Sequence, residues 1–166
     1  MRWIVAGKAG ERDGMSASRM GRSETEPLAT DDNLAALADL SSVWIGRVHE
    51  RKPPKVIVLD MDSSVSPTFG DQEKRPNNGR FSFSRYHPLF VFHRVGDLER
   101  CVLRPGNVHS PHNWRDVLEP VVIRYRDRKL RRYFRADAAF AMPQVYDFVE
   151  SEGFSYAIRL PANRML

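Results

Sequence analysis

Hydrophobic and polar positions change their period several times along the chain, and each change marks an element. Val56, Ile57, Val58 and Leu59 form a continuous apolar run without proline, which predicts a central strand from Val56 to Asp62. Upstream, Leu34, Leu37, Leu40, Val43, Trp44 and Val48 recur at helical spacing. They predict a helix from Asp31 to near Glu50, with Asp31 or Asp32 capping its first amide groups and Pro53 and Pro54 beyond its end. Its apolar stripe needs a partner, for which the following sheet is the candidate. Residues 1–30 carry Gly7, Gly10, Gly14 and Gly21, show no steady period, and are expected to be mostly loose.

After the strand, Ser66, Pro67, Gly70, Pro76, Asn77, Asn78 and Gly79 break the pattern, so residues 63–85 read as a long polar connection. Leu89 to His93 and Cys101 to Leu103 flank a turn at Gly96 and Asp97 and predict a hairpin. A turn at Pro105 and Gly106 leads to a helix expected to be capped by Ser110, with Pro111 near its first position. Trp114, Val117, Leu118, Val121, Val122 and Tyr125 form its apolar side, and Pro120 is expected to kink or split it. A strand at Arg131 to Ala136, a helix at Pro143 to Glu152 and a strand at Phe154 to Leu160 complete an α/β order with a mixed sheet.

Composition narrows the class. A chain of 166 residues holds one domain with a real core. The net charge of +5 is modest, so partners have to be argued from where charge lies. Five of the 26 basic residues are lysine and the remainder arginine, a fork suited to phosphate but equally a compositional bias. Cys101 is alone, which excludes an intrachain disulfide and a thiolate metal cluster. No apolar run approaches the roughly 20 residues that span a bilayer, and MRWIVAGKAG is too short and too soon charged for a signal peptide. The expected setting is a reducing cytoplasm.

Asp60 and Asp62 stand two residues apart in a strand, so they share a face and Met61 takes the other. Carboxylates suit Mg²⁺, which keeps several waters and needs few protein ligands. Asp137, at the exit of a second strand, could share an ion with one of them if the two strands are neighbours. An acid at a strand end is also a common turn former or helix cap, and both readings stand. The spacings of His87, His93, His109 and His112 match no compact zinc motif, and Ser63 and Ser64 lack a nucleophile elbow.

Arg124, Arg126, Arg128, Lys129, Arg131, Arg132 and Arg135 form the densest basic run, with Tyr125 and Tyr133 between them. It reads either as a solvated surface that complements a helix dipole or as a contact for a nucleic-acid backbone. Arg75, Arg80 and Arg85 decorate the long connection. The candidate nucleic-acid contacts are therefore Arg75, Arg80, Arg85, Arg128, Lys129, Arg131 and Arg132.

The segments LDMDSSVSPTFGDQE, YHPLFVFHRVGDLERCVLRPGNVHS, YFRADAAF and YAIRLPANRML, in this order, resemble the DDE-domain transposases of bacterial insertion sequences. GRSETEPLATDDNLAALADL is similar to their helical lead-in. The resemblance implies an RNase H-like core, two divalent ions (Mg²⁺ or Mn²⁺), DNA as substrate, and strand cleavage followed by strand transfer. It makes Asp62 and Asp137 the first two catalytic, metal-binding acids and leaves Asp60 a neighbour that holds structure or tunes the field.

The family's third acid is a glutamate on a helix after the last core strand. Glu150 and Glu152 precede that strand and do not match it. Residues 74–85 and the first 15 or so depart from the family pattern. The expectation is an incomplete RNase H-like domain at 53–166, a helical lead-in at 31–52 and a loose segment at 1–30. Such a chain reads as a carboxy-terminally truncated transposase fragment, inactive alone. The alternative is a non-catalytic DNA-binding fragment that regulates intact transposase copies. No membrane partner is expected.

Overall fold

A computed structural model describes residues 16–26, 30–67 and 85–161. The chain divides into two compact units, Met1–Ala38 and Asp39–Leu166. In the first, helix α1 spans Ala17–Thr25. Part of the segment expected to be loose is thus helical. Ser16, in extended geometry, accepts a hydrogen bond from the Arg19 amide, and Ala17, Arg19, Met20 and Arg22 are good helix formers that Gly21 does not outweigh.

Helix α2 spans Asp31–Arg51 and crosses the boundary between the units. The expected helix is there, but its apolar stripe is not the face it buries. Leu34, Leu37, Leu40, Val43, Trp44 and Val48 are exposed, whereas Ser42, Ile45 and His49 are buried. Polar anchoring sets that choice in the second unit: the Ser42 hydroxyl donates to the Glu99 carbonyl at 2.9 Å, and His49 packs edgewise on His93.

The second unit is a mixed α/β layer structure. Its strands are β1 (Val56–Ser63), β2 (Ser66–Pro67), β3 (Arg85–Tyr86), β4 (Leu89–His93), β5 (Leu98–Val102), β6 (Arg131–Ala136) and β7 (Ser155–Ile158). Five form one sheet in the order β5-β4-β1-β6-β7, with β2 and β3 as a separate pair. β4 is antiparallel to β1 and to β5, while β6 is parallel to β1 and to β7. Parallel neighbours need crossovers, which helices α3 (Trp114–Tyr125) and α4 (Pro143–Ser151) provide.

Both helices lie on one face of the sheet. Ile57, Leu59 and Met61 of β1 share a core with Leu89, Val91 and Phe134 and with Val117, Leu118, Val121, Val145, Phe148 and Val149 of the helices. Trp114 meets Phe148 edge-on, joining α3 to α4. β1 is central as expected, but its burial alternates: Val56, Val58 and Asp60 are only half-buried on the opposite face. The continuous apolar run therefore overstates how much of β1 is covered.

One expectation about α3 fails, and the split at Pro120 does not occur. Ser110 and Pro111 do not start it; the first helical residue is Trp114, preceded by Asn113 in left-handed conformation at φ 54°. Residues 109–114 turn on themselves instead, and the Arg104 guanidinium holds the Ser110 and His112 carbonyls. The helix also runs unbroken through Pro120. A proline there leaves the Asp116 carbonyl without its helical donor, and Asp116 is exposed, so water can serve it.

Candidate metal centre

Register sets the site. Parallel pairing of β1 with β6 ends at Met61 opposite Ala136, with Asp60 opposite Arg135 one step earlier. Asp62, two residues after Asp60, shares its face near the end of β1, and Asp137 follows β6 directly. Because the strands are parallel, both carboxylates leave at the same edge, and both residues are exposed. Met61, between the acids of β1, points into the core.

Hydrogen bonds reach one oxygen of each acid among the described residues. The Ser63 amide donates to Asp62 Oδ1 at 2.7 Å, and the Ala139 amide to Asp137 Oδ1 at 3.0 Å. Asp137 thereby caps the short 3₁₀ turn Ala138–Phe140, whose Phe140 is buried. The capping and the ligand readings of Asp137 are compatible, since a carboxylate has capacity for both. The remaining oxygens suit a hard cation such as Mg²⁺ or Mn²⁺, and the two acids could hold one with water completing its shell. Among the described residues no group of three or more His, Cys, Asp or Glu side chains is placed to hold a metal ion.

Asp60 faces Arg135 rather than the two acids. Its carboxylate takes a bidentate pair, Arg135 Nε to Oδ1 at 2.5 Å and Nη2 to Oδ2 at 2.6 Å. The bonded carboxylate holds the Arg135 guanidinium above its usual range. Only the strand register could reveal this partnership.

The basic candidates scatter. Arg75 and Arg80 lie outside the described residues. Arg85 donates through Nε to the Gly106 carbonyl at 3.2 Å. Arg128 lies over the Tyr125 ring and, with Lys129, lines a cleft of about 340 Å³ beside His49, Pro53 and Pro54. Arg131 is exposed at the start of β6, opposite Val56. Arg132 donates to the main-chain carbonyls of Glu152, Arg126 and Arg128. Arg132 pairs with Ile57 near the start of β6, and Arg85 pairs with Pro67 in the β2–β3 pair that follows β1.

Sequence reasoning also missed a buried polar cluster. Glu99 is fully buried, yet accepts from Tyr125 Oη at 2.7 Å and from Arg124 Nη2 at 2.5 Å. Burial and Glu99 together push the Tyr125 phenol far up, so it remains a donor. A charged residue in the apparently polar stretch LER gave no signal that it would be enclosed.

The chain matches the family Transposase DDE domain group 1 over residues 1–166. It belongs to that family. No curated protein matches the chain. Among solved structures, it is similar to the catalytic domain of Mos1 mariner transposase at TM-score 0.44 and 14% identity, covering 81% of this chain and 63% of that one. Similarity to a piggyBac transposase synaptic complex with hairpin DNA has TM-score 0.44 and 13% identity, with 93% and 32% coverage. A structure of the Mos1 catalytic domain with Raltegravir and Mn gives TM-score 0.42 and 14% identity, with 91% and 64% coverage. The chain thus spans less than two thirds of the length of these structures.

Proposed function

We propose that this chain is part of the catalytic core of an insertion-sequence DNA transposase, with an RNase H-like sheet, and that Asp62 and Asp137 hold Mg²⁺ or Mn²⁺ for cleavage and transfer of DNA strands. The observation that supports it is the parallel β1–β6 register, which ends at Met61 opposite Ala136, the residues directly before Asp62 and Asp137. Membership of the DDE transposase family supports the same reading.

In such a site the bound ion supplies charge stabilisation at the scissile phosphate and lowers the pKa of a bound water or hydroxyl. The protein's own part is to hold the two carboxylates fixed. Asp62 is braced by the Ser63 amide and Asp137 by the Ala139 amide, and exposure leaves room for a polynucleotide. Lys129 and Arg131, exposed at the start of β6 and so at the opposite rim from Asp137, are candidates for phosphate contacts away from the acids, which would position the backbone without reading bases. In this reading residues 31–52 lead into the catalytic part at 53–166, and DNA and intact transposase copies are the partners.

The test is Mn²⁺ uptake by isothermal titration on the folded chain, with Asp62→Ala and Asp137→Ala, alongside plasmid nicking. Weak uptake lost in both variants supports the reading. Uptake that ignores both substitutions overturns it. DNA binding in a chain that takes up no Mn²⁺ through Asp62 or Asp137 would instead identify a non-catalytic, transposase-regulating role, whereas nicking is not required of a fragment without the third acid.

A further inference from the structure

We propose that Ser63 and His87 are positioning residues for Asp62, joined in a hydrogen-bond relay that starts at the Val108 carbonyl and fixes how the carboxylate is presented. The functional meaning rests on the metal reading of Asp62; the relay itself rests on geometry.

The proton positions follow by elimination. His87 Nδ1 lies 2.9 Å from the Val108 carbonyl oxygen, which can only accept, so Nδ1 carries hydrogen. In the neutral ring Nε2 then offers a lone pair, and it lies 3.2 Å from Ser63 Oγ. The Ser63 hydroxyl therefore donates to His87, while the Ser63 amide donates to Asp62 Oδ1. Anchoring the serine side chain constrains the peptide between residues 62 and 63, and that peptide's N–H holds the carboxylate.

Each link is itself fixed. The His87 amide donates to the Arg104 carbonyl at 2.9 Å, and Arg104 Nε returns a bond to the His87 carbonyl at 2.8 Å. Arg104 is buried and also grips the carbonyls of Ser110 and His112, at 2.8 and 2.5 Å. These bonds bracket Val108, so its carbonyl sits on a loop pinned from both sides. The Ser64 amide donates to the Pro88 carbonyl at 3.1 Å, tying the two segments together again just past Asp62.

A relay of this kind has a use for an exposed acid. Asp62 on the surface would otherwise sample several rotamers, and a cation would have to order it on binding. A Ser-His contact that merely ties a turn would leave the carboxylate indifferent to its loss, which separates the two cases experimentally.

The experiment uses the full chain at pH 8 with Mn²⁺ as the probe, followed by electron paramagnetic resonance. The ¹³C resonance of the Asp62 carboxyl and the ring ¹⁵N resonances of His87 are read without metal. Ser63→Ala and His87→Ala should each weaken Asp62-dependent Mn²⁺ binding by about 10-fold, the lower end of effects seen for outer-shell partners. Both should also shift the carboxyl resonance, and Ser63→Thr, which keeps the hydroxyl, should restore both readouts. Mn²⁺ binding that depends on Asp62 but is unchanged in Ser63→Ala and His87→Ala overturns the proposal. If the wild-type chain takes up no Mn²⁺ through Asp62, the metal reading fails, and the carboxyl resonance alone decides the relay. An unmoved resonance in Ser63→Ala then overturns it; a shift reversed by Ser63→Thr upholds it.

Discussion

Asp60 and Arg135 meet across the parallel strands β1 and β6 in a two-point ion pair, on the face of β1 that also carries Asp62. The pair is partly exposed, at 56% for the arginine side chain and 30% for the aspartate, so it contributes only about 0–1 kcal/mol to stability. Its larger effect is to neutralise a guanidinium beside the site.

Asp60→Asn should therefore leave the melting temperature nearly unchanged while releasing Arg135 to contact phosphate. On the DNA-binding reading, the slope of log K against log salt should steepen by about 0.9, one additional phosphate contact. Arg135→Ala in the same background should remove the gain. Fluorescence anisotropy with duplex DNA at several salt concentrations measures both.

Tyr125→Phe should destabilise the fold by about 1–3 kcal/mol, because it strips a donor from the fully buried Glu99 carboxylate. Urea unfolding should show a lower midpoint with an unchanged slope. A midpoint equal to wild type would mean that Glu99 is served from elsewhere.

His49 makes stability sensitive to acid. Burial is the main reason its imidazole sits below the ordinary range; His93, Arg128 and Arg124 push the same way, and Glu99 opposes them. The folded state thus binds this proton less readily than the unfolded chain. The contribution is intact above the unfolded value near 6.5 and is lost as pH falls through the folded value. His49→Gln should therefore lose less stability than wild type between pH 8 and pH 5.5. Urea midpoints at the two pH values give the comparison, and equal losses would count against it.

Gly106→Ala should be costly although Gly106 lies in a loop. A Cβ there would fall on the Arg85 carbonyl and on the Arg85 side chain, and backbone cannot yield as a flexible tip does. The expected loss is about 1–3 kcal/mol, read as a drop in melting temperature.

Much of this architecture can be read from local pattern. β6 falls at Arg131 to Ala136 as expected, α4 begins at Pro143, and Gly153 with φ 71° closes it before the last strand. Hairpin and central strand also follow from apolar runs and a glycine turn. What local pattern hides is pairing. The Asp60–Arg135 contact depends on a register set 75 residues apart in sequence, and the Ser63–His87 contact on how β4 returns beside β1. Helix α2 misleads for another reason. Its apolar stripe is real, but Ser42 and His49 find partners that decide which face turns inward. The position of Asp62 and Asp137 at strand ends is legible locally, while the parallel pairing of those two strands needed the sheet order.

The direction of β4 divides the sheet into two unlike ends. Running against β1, it begins beside Ser63 and finishes beside Leu59, where the Arg94 amide bonds the Val58 carbonyl. The turn from Arg94 to Asp97, all exposed, thus hangs from the rim remote from Asp62. That rim is a natural handle, where a fluorophore or surface tether can be attached while the acidic edge stays open to bulk solvent.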